Sequence, residues 1–217
     1  MMRDVSARII DFAEGLKRTN LAATDYTQSY RLRRNPGMDL DVVEVDIKTT
    51  YTICNLNKLS HEVRPRLDVE EWELPTFDEC VVVANPGTLS EYRQVLKGAE
   101  LVGASERPRV VRGIGPMAVI VQGEEAVVSW KYRTVRPVAD RDCVSFGNVT
   151  VGPVVVKFEP NPEFVMSVES YSAHEDIDNG WQWNGVFLPE QHVNVCWRLI
   201  EIEGIRDQEG KLVAGAV

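Results

Sequence analysis

Three histidines (His61, His174, His192) and four cysteines (Cys54, Cys80, Cys143, Cys196) are the side chains of this 217-residue chain best suited to nucleophilic or acid–base chemistry. Their spacing does not assemble them into a familiar site. No GxSxG, HExxH or catalytic-cysteine signature surrounds any of them. The cysteines lie 26, 63 and 53 residues apart, so no CxxC pair is available for a thiolate zinc site or a redox couple, and four thiols are expected. His61 falls in Ser60-His61-Glu62 beside prolines, and His192 opens an apolar alternation with Val193 and Val195. A dispersed catalytic site would be sought first at His174 with Glu175 or Asp176.

The most unusual stretch runs from Ser172 to Gly185. Asp176, Asp178 and Asn179 precede a glycine as oxygen ligands for calcium would, but the EF-hand spacing fails because the distant glutamate is missing. No metal and no cofactor are therefore expected. Trp181 and Trp183 stand two residues apart, so an extended backbone puts both indoles on one side. With Gln182 and Asn184 as hydrogen-bonding groups, the four residues form a candidate platform for a sugar ring or a partner's apolar side chain.

Arg31, Arg33 and Arg34, then Arg107, Arg109 and Arg112, then Lys131, Arg133 and Arg136, make three basic clusters. They lack the interleaved aromatics of a single-strand platform, and the net charge is −9, which argues against nucleic acid as a partner. Charge alternates along the chain instead: residues 1–40 sum to +2, 41–80 to −6, 81–137 to +3 and 138–217 to −8. Such blocks suit subunits meeting through complementary patches. Asn85-Pro86-Gly87-Thr88 resembles an anion loop only in position and lacks the glycine pattern of one.

The elements that must carry these residues are mostly strands. From Val43 the chain alternates, with Val43, Val45, Ile47, Thr49, Tyr51 and Ile53 on one face and Glu44, Asp46, Lys48, Thr50 and Thr52 on the other. This is a long half-buried strand with one wet side. Met117–Val121 and Ala126–Val135 flank Gln122-Gly123-Glu124-Glu125 and predict a hairpin. Further strands are predicted at 80–84, 143–150, 153–159, 164–170 and 193–203, with a last hairpin from 204 onward. Two helices are predicted. Val5, Ile9, Phe12 and Leu16 recur at helical spacing near the N-terminus. Thr88 with Glu91 looks like a capping box ahead of Leu89, Tyr92 and Leu96, with Gly98 as the stop.

These patterns predict a mainly β chain: an antiparallel β-sandwich of jelly-roll or Greek-key type over residues 39–217. An N-terminal helix and arm over 1–38 and one short internal helix complete it. No run approaches the about 18–20 apolar residues of a membrane helix, so no membrane insertion is expected. The charged N-terminus predicts no secretion signal and synthesis in the cytoplasm. The helical stripe Val5, Ile9, Phe12, Leu16 and the apolar tail with Leu212, Val213 and Val217 are candidate assembly contacts with other subunits, in a homo- or hetero-oligomer. The expectation is a non-enzymatic structural subunit, with a virion component (capsid, cement or tail connector) as its first setting. A carbohydrate- or receptor-binding module using the Trp181–Asn184 loop is the alternative.

Overall fold

The computed structural model describes residues 21–34, 41–70, 75–103, 110–189 and 191–200. The chain is mainly β. One large sheet carries the architecture, and its centre is built by three long strands whose side chains alternate in burial. These are β1 (Leu21–Arg33), β2 (Val42–Asn55) and β10 (Glu125–Pro137). β2 buries the predicted face, Val43, Val45, Ile47, Thr49 and Ile53, and turns Glu44, Asp46 and Lys48 outward. In β10, Ala126, Val128, Trp130 and Tyr132 point inward with them.

The sheet extends on one side through β5 (Thr76–Ala84) and the edge strand β6 (Tyr92–Lys97). On the other side it runs through β12 (Val149–Phe158), β15 (Gly180–Trp183) and β14 (Glu175–Ile177), with β16 (Val186–Phe187) also pairing β12. All of its pairings are antiparallel except β1 with β12, so the sheet is mixed.

Three small sheets lie on the inner face. β3 (His61–Val63) pairs β9 (Ala118–Ile120). β8 (Val110–Ile114) sits between β4 (Arg66–Glu70) and β7 (Val102–Gly103). β17 (His192–Leu199) sits between β11 (Asp140–Ser145) and β13 (Phe164–Glu169). The β4–β8–β7 sheet comes down on β5 and β10. A side chain at Gly113 would sit 2.9 Å from the Phe77 ring, and one at Gly115 would sit 2.7 Å from Cys80 Sγ. The β11–β17–β13 sheet is riveted to β1 by a polar cluster: Asp142 accepts from the Tyr30 hydroxyl at 2.6 Å and from Gln28 Nε2 at 3.2 Å. Gln28 is itself buried and accepts from Tyr26 and Thr49, so its polar atoms are met inside the core. Between these two covers the second layer is interrupted, and the aromatic floor over Thr49, Tyr51 and Ile53 is reached from outside.

Three expectations meet the structure differently. Residues 21–33, which the sequence places in the arm, form β1 at the centre of the large sheet. The internal helix is not formed. Asn85 (φ 53°) and Gly87 (φ 75°) turn the chain, and the supposed capping groups bond within that turn, Thr88 Oγ1 to Asn85 O and Gly87 N to Glu91 Oε2. Tyr92–Lys97 then pairs along β5 as a strand, because β5 offers a row of open backbone groups and Leu89 is fully exposed, giving a helix no face to bury. The predicted 117–135 hairpin keeps its turn at Gly123 (φ 74°), but its first strand peels away to pair β3, and β10 takes β2 and β5 as neighbours. The N-terminal helix with Val5, Ile9, Phe12 and Leu16, and the tail with Leu212, Val213 and Val217, lie outside the described residues.

Candidate docking surface

The tryptophan loop forms one edge of the large sheet. Trp183 pairs Val154 and Trp181 pairs Val156, so both indoles face inward. Trp183 is 1% exposed and meets the His174 ring at 5.4 Å, while Trp181 is half-buried against Phe158 at 5.4 Å. Outward, Gln182 Nε2 donates to Asn184 Oδ1 at 2.9 Å, and Asn184 Nδ2 donates to Glu175 Oε1 at 3.4 Å. Trp181, Gln182 and Asn184 are thus the accessible part of this loop. Gly180 lets the β15 backbone lie against the Val156 carbonyl, where a side chain would collide.

The candidate nucleophiles are not brought together. All four cysteines are thiols. Burial pushes the Cys80 thiol up to about 12 and raises Cys54 and Cys196 as well, so these thiols are weak nucleophiles at neutral pH. His174 Nε2 lies 3.9 Å from Asp176 Oδ1, an exposed carboxylate, and among the described residues no thiol or hydroxyl is bonded to the imidazole. Among the described residues, no group of three or more His, Cys, Asp or Glu side chains could hold a metal ion.

The basic clusters are largely met by acids. Arg133 lies between Glu44, Asp46 and Asp78 at 3.4 to 3.8 Å, Lys131 reaches Glu79 and Arg136 holds Asp140 at 2.7 Å. Arg112 makes a two-pronged bond to Asp68.

Among the described residues, an exposed apolar surface lies at the end of β2. There the buried Asn55 ties three chain passages together. Its Nδ2 donates to Leu59 O at 2.8 Å and Ile120 O at 3.0 Å, its Oδ1 accepts from Asn57 N, and its backbone bonds Gly123 and Glu124. This knot sets the 56–60 loop beside β9. β9 buries Ala118 and Ile120 and turns Met117, Val119 and Val121 outward. Together with Leu56 and Leu59, five large apolar side chains stand between 47% and 70% exposed in one neighbourhood. Isolated exposed apolar residues are ordinary, but a contiguous group of them marks an interaction surface. β3 and β9 pair only with each other, so among the described residues each leaves an open strand edge beside the patch. Lys58 carries positive charge at its rim, and Glu62 and Glu124 carry negative. The sequence signal was a strand apolar on both faces, which reads as core.

No family model matches the chain, and no curated protein does. Among solved structures it is similar to a proposed nutrient-binding protein of Legionella pneumophila, with a TM-score of 0.45 and 10% identity over 83% of this chain and 68% of that one. It is also similar to a two-domain M1 zinc metallopeptidase bound to tryptophan, with a TM-score of 0.39 and 10% identity over 83% of this chain and 43% of that one. A third likeness is to the acetylcholine-binding protein of Bulinus truncatus, with a TM-score of 0.33 and 12% identity over 84% of this chain and 89% of that one.

Proposed function

We propose that the chain is a non-enzymatic structural subunit built on a sandwich-type β scaffold, which docks on a second copy of itself through the apolar end of the molecule. The observation that carries this reading is the exposed group Leu56, Leu59, Met117, Val119 and Val121 beside the open edges of β3 and β9. A second copy fits because the rim carries both signs. Under a two-fold axis Lys58 of each copy can face Glu62 or Glu124 of the other, so the patch is complementary to itself. The virion setting rests on the sequence features alone, namely patchy charge and apolar stretches near both termini.

Absolute mass by light scattering across a hundredfold range of concentration tests the proposal. The full chain is expected to show dimeric or larger mass that rises with concentration, and the double variant L59E/V119E is expected to stay monomeric with an unchanged circular dichroism spectrum. A full chain that stays monomeric throughout would overturn it. The accessible side of Trp181 with Gln182 and Asn184 supports a second reading, a glycan- or receptor-binding module. It would be the one to pursue if that outcome were found.

A further inference from the structure

The interruption in the second layer forms a cleft of about 400 Å³, within the range of small-molecule sites, which meets the docking patch at Glu62 of β3 and opens on the other side of it. Its floor is the inner face of the central strands: Leu21, Ala23 and Tyr26 of β1, Thr49, Tyr51 and Ile53 of β2, and Trp130 of β10. One wall is the segment 62–67, and the other is 145–150 with Phe146. The floor is aromatic and ordered by stacking. Tyr26 and Tyr51 lie 5.8 Å apart at 15°, and Phe146 meets Tyr26 edge-on at 5.2 Å.

Two features of this cleft serve nothing in the fold. The first is deep. Trp130 is 1% exposed, and its indole Nε1 is buried without a hydrogen-bond acceptor. Burial raises the Tyr51 phenol well above its ordinary value, and the Trp130 N–H beside it pulls the other way without reaching hydrogen-bonding geometry. A buried N–H without a partner is unfavourable, and an acceptor delivered by a ligand would recover that loss. The second is at the mouth. Arg64 and Arg66 stand exposed there with no ion-pair partner among the described residues, and Glu62 is the one carboxylate of the lining. The mouth is therefore net positive above an aromatic slot.

We propose that the cleft binds a small planar aromatic carboxylate, its ring against Tyr51, its acid group at Arg64 and Arg66, and a hydrogen-bond acceptor at its far end meeting the Trp130 N–H. Each part answers one feature. Flat rings gain most from an aromatic floor, guanidinium groups match a carboxylate, and the orphan indole N–H calls for an acceptor of its own.

Isothermal titration calorimetry with 6-hydroxy-2-naphthoate on the full chain tests this. Binding with a dissociation constant below about 1 mM is expected. 2-Naphthol, which lacks the acid, and decahydro-2-naphthoate, which lacks the flat ring, are expected to bind at least about tenfold more weakly. The double variant R64Q/R66Q, which changes only exposed side chains, should weaken the hydroxynaphthoate about tenfold. Trp130→Phe keeps a ring and removes the N–H. It should weaken 6-hydroxy-2-naphthoate and leave 2-naphthoate, which lacks the acceptor, unchanged. No binding at about 5 mM overturns the proposal, as does binding indifferent to R64Q/R66Q or equal for the flat and saturated acids. The arginine variants keep the test decisive if Trp130→Phe fails to fold.

Discussion

The large sheet carries a hollow on each face, and the two differ although the same strands line both. The inner cleft is floored by Tyr26, Tyr51 and Trp130. The outer groove, about 470 Å³, is lined by Arg31, Lys48, Lys131 and Lys157 together with Asp46, Asp78 and Glu159. Lys48 and Thr49 are neighbours in sequence and belong to opposite hollows, because successive side chains of a strand point to opposite faces. Most of the outer charges pair among themselves: Arg31 with Glu159 at 3.0 Å, Lys131 with Glu79 at 3.4 Å, and Arg133 with Asp46 and Asp78. Water can screen whatever is left over. The Trp130 N–H at the bottom of the inner cleft is itself buried from water, so it carries an energetic demand that an unmet lysine outside does not. The energetic weight of a substitution should follow the face it is on.

The largest expected effect is at a tight contact between an inner cover and the large sheet. Gly115 passes between Cys80, Pro65 and Trp130 with no space for a side chain. Gly115→Val should force the β4–β8–β7 cover off β5 and β10 and cost about 3 kcal/mol, read as a lower denaturant midpoint. A loss below about 0.5 kcal/mol would mean that this cover sits loosely and that the two faces are less different than their burial suggests.

That dependence on distant contacts also separates what was legible in the sequence from what was not. β2 could be read because its alternation runs unbroken from Val43 to Ile53 and its inward set is almost wholly apolar. β1 could not, for two local reasons. A bulge at Asp25 (φ 51°) shifts the alternation by one, so Leu21 and Ala23 and then Tyr26, Gln28, Tyr30 and Leu32 line the inner face. Among them Gln28 is a polar residue placed inside, and it is tolerated only because Tyr26, Tyr30, Thr49 and Asp142 satisfy it. Leu89, Tyr92 and Leu96 mimic a helical stripe, but the open edge of β5 decides their conformation. The docking patch was hidden because β9 is apolar on both faces, and only its pairing with β3 shows which face is uncovered. The cleft had no local signal at all. It is a gap between two covers, and its lining comes from five separate stretches of chain.

The second effect tests the rivet under the β11–β17–β13 sheet. Burial raises the Asp142 carboxyl above its ordinary value, against the opposing pull of the Tyr30 hydrogen bond and of Arg136. A raised native value means that the folded state holds this proton more tightly than the unfolded one. The stability it contributes is full below the ordinary carboxylate value of about 3.9 and is lost as pH rises through the native value. Asp142→Asn keeps an acceptor for the Tyr30 hydroxyl and removes the charge. Relative to wild type the variant should therefore gain stability between pH 3.5 and pH 7, measured as the difference in urea midpoints at the two pH values. If the variant instead loses ground as pH rises, the carboxylate is held favourably by Arg136, and the inner face accommodates a charge as well as the outer one does.

The smallest effect belongs to the outer face and is again a gain. One cross-strand row runs Lys157, Ser29, Lys48, Lys131, Glu79, Lys97, so two lysines on β2 and β10 stand directly opposite each other. Lys131 leans to Glu79 on its far side, and Lys48 has no ion-pair partner among the described residues. Like charges directly across a sheet are destabilising, and opposite charges there contribute roughly 0.2–1 kcal/mol. Lys48→Glu replaces a repulsion by an attraction and should stabilise the fold by about 0.5 kcal/mol in low salt. The gain should largely disappear at about 1 M salt, where screening reaches only about 3 Å. A gain that survives high salt would mean that this groove is sheltered from solvent, and the two faces would then differ in polarity rather than in access to water.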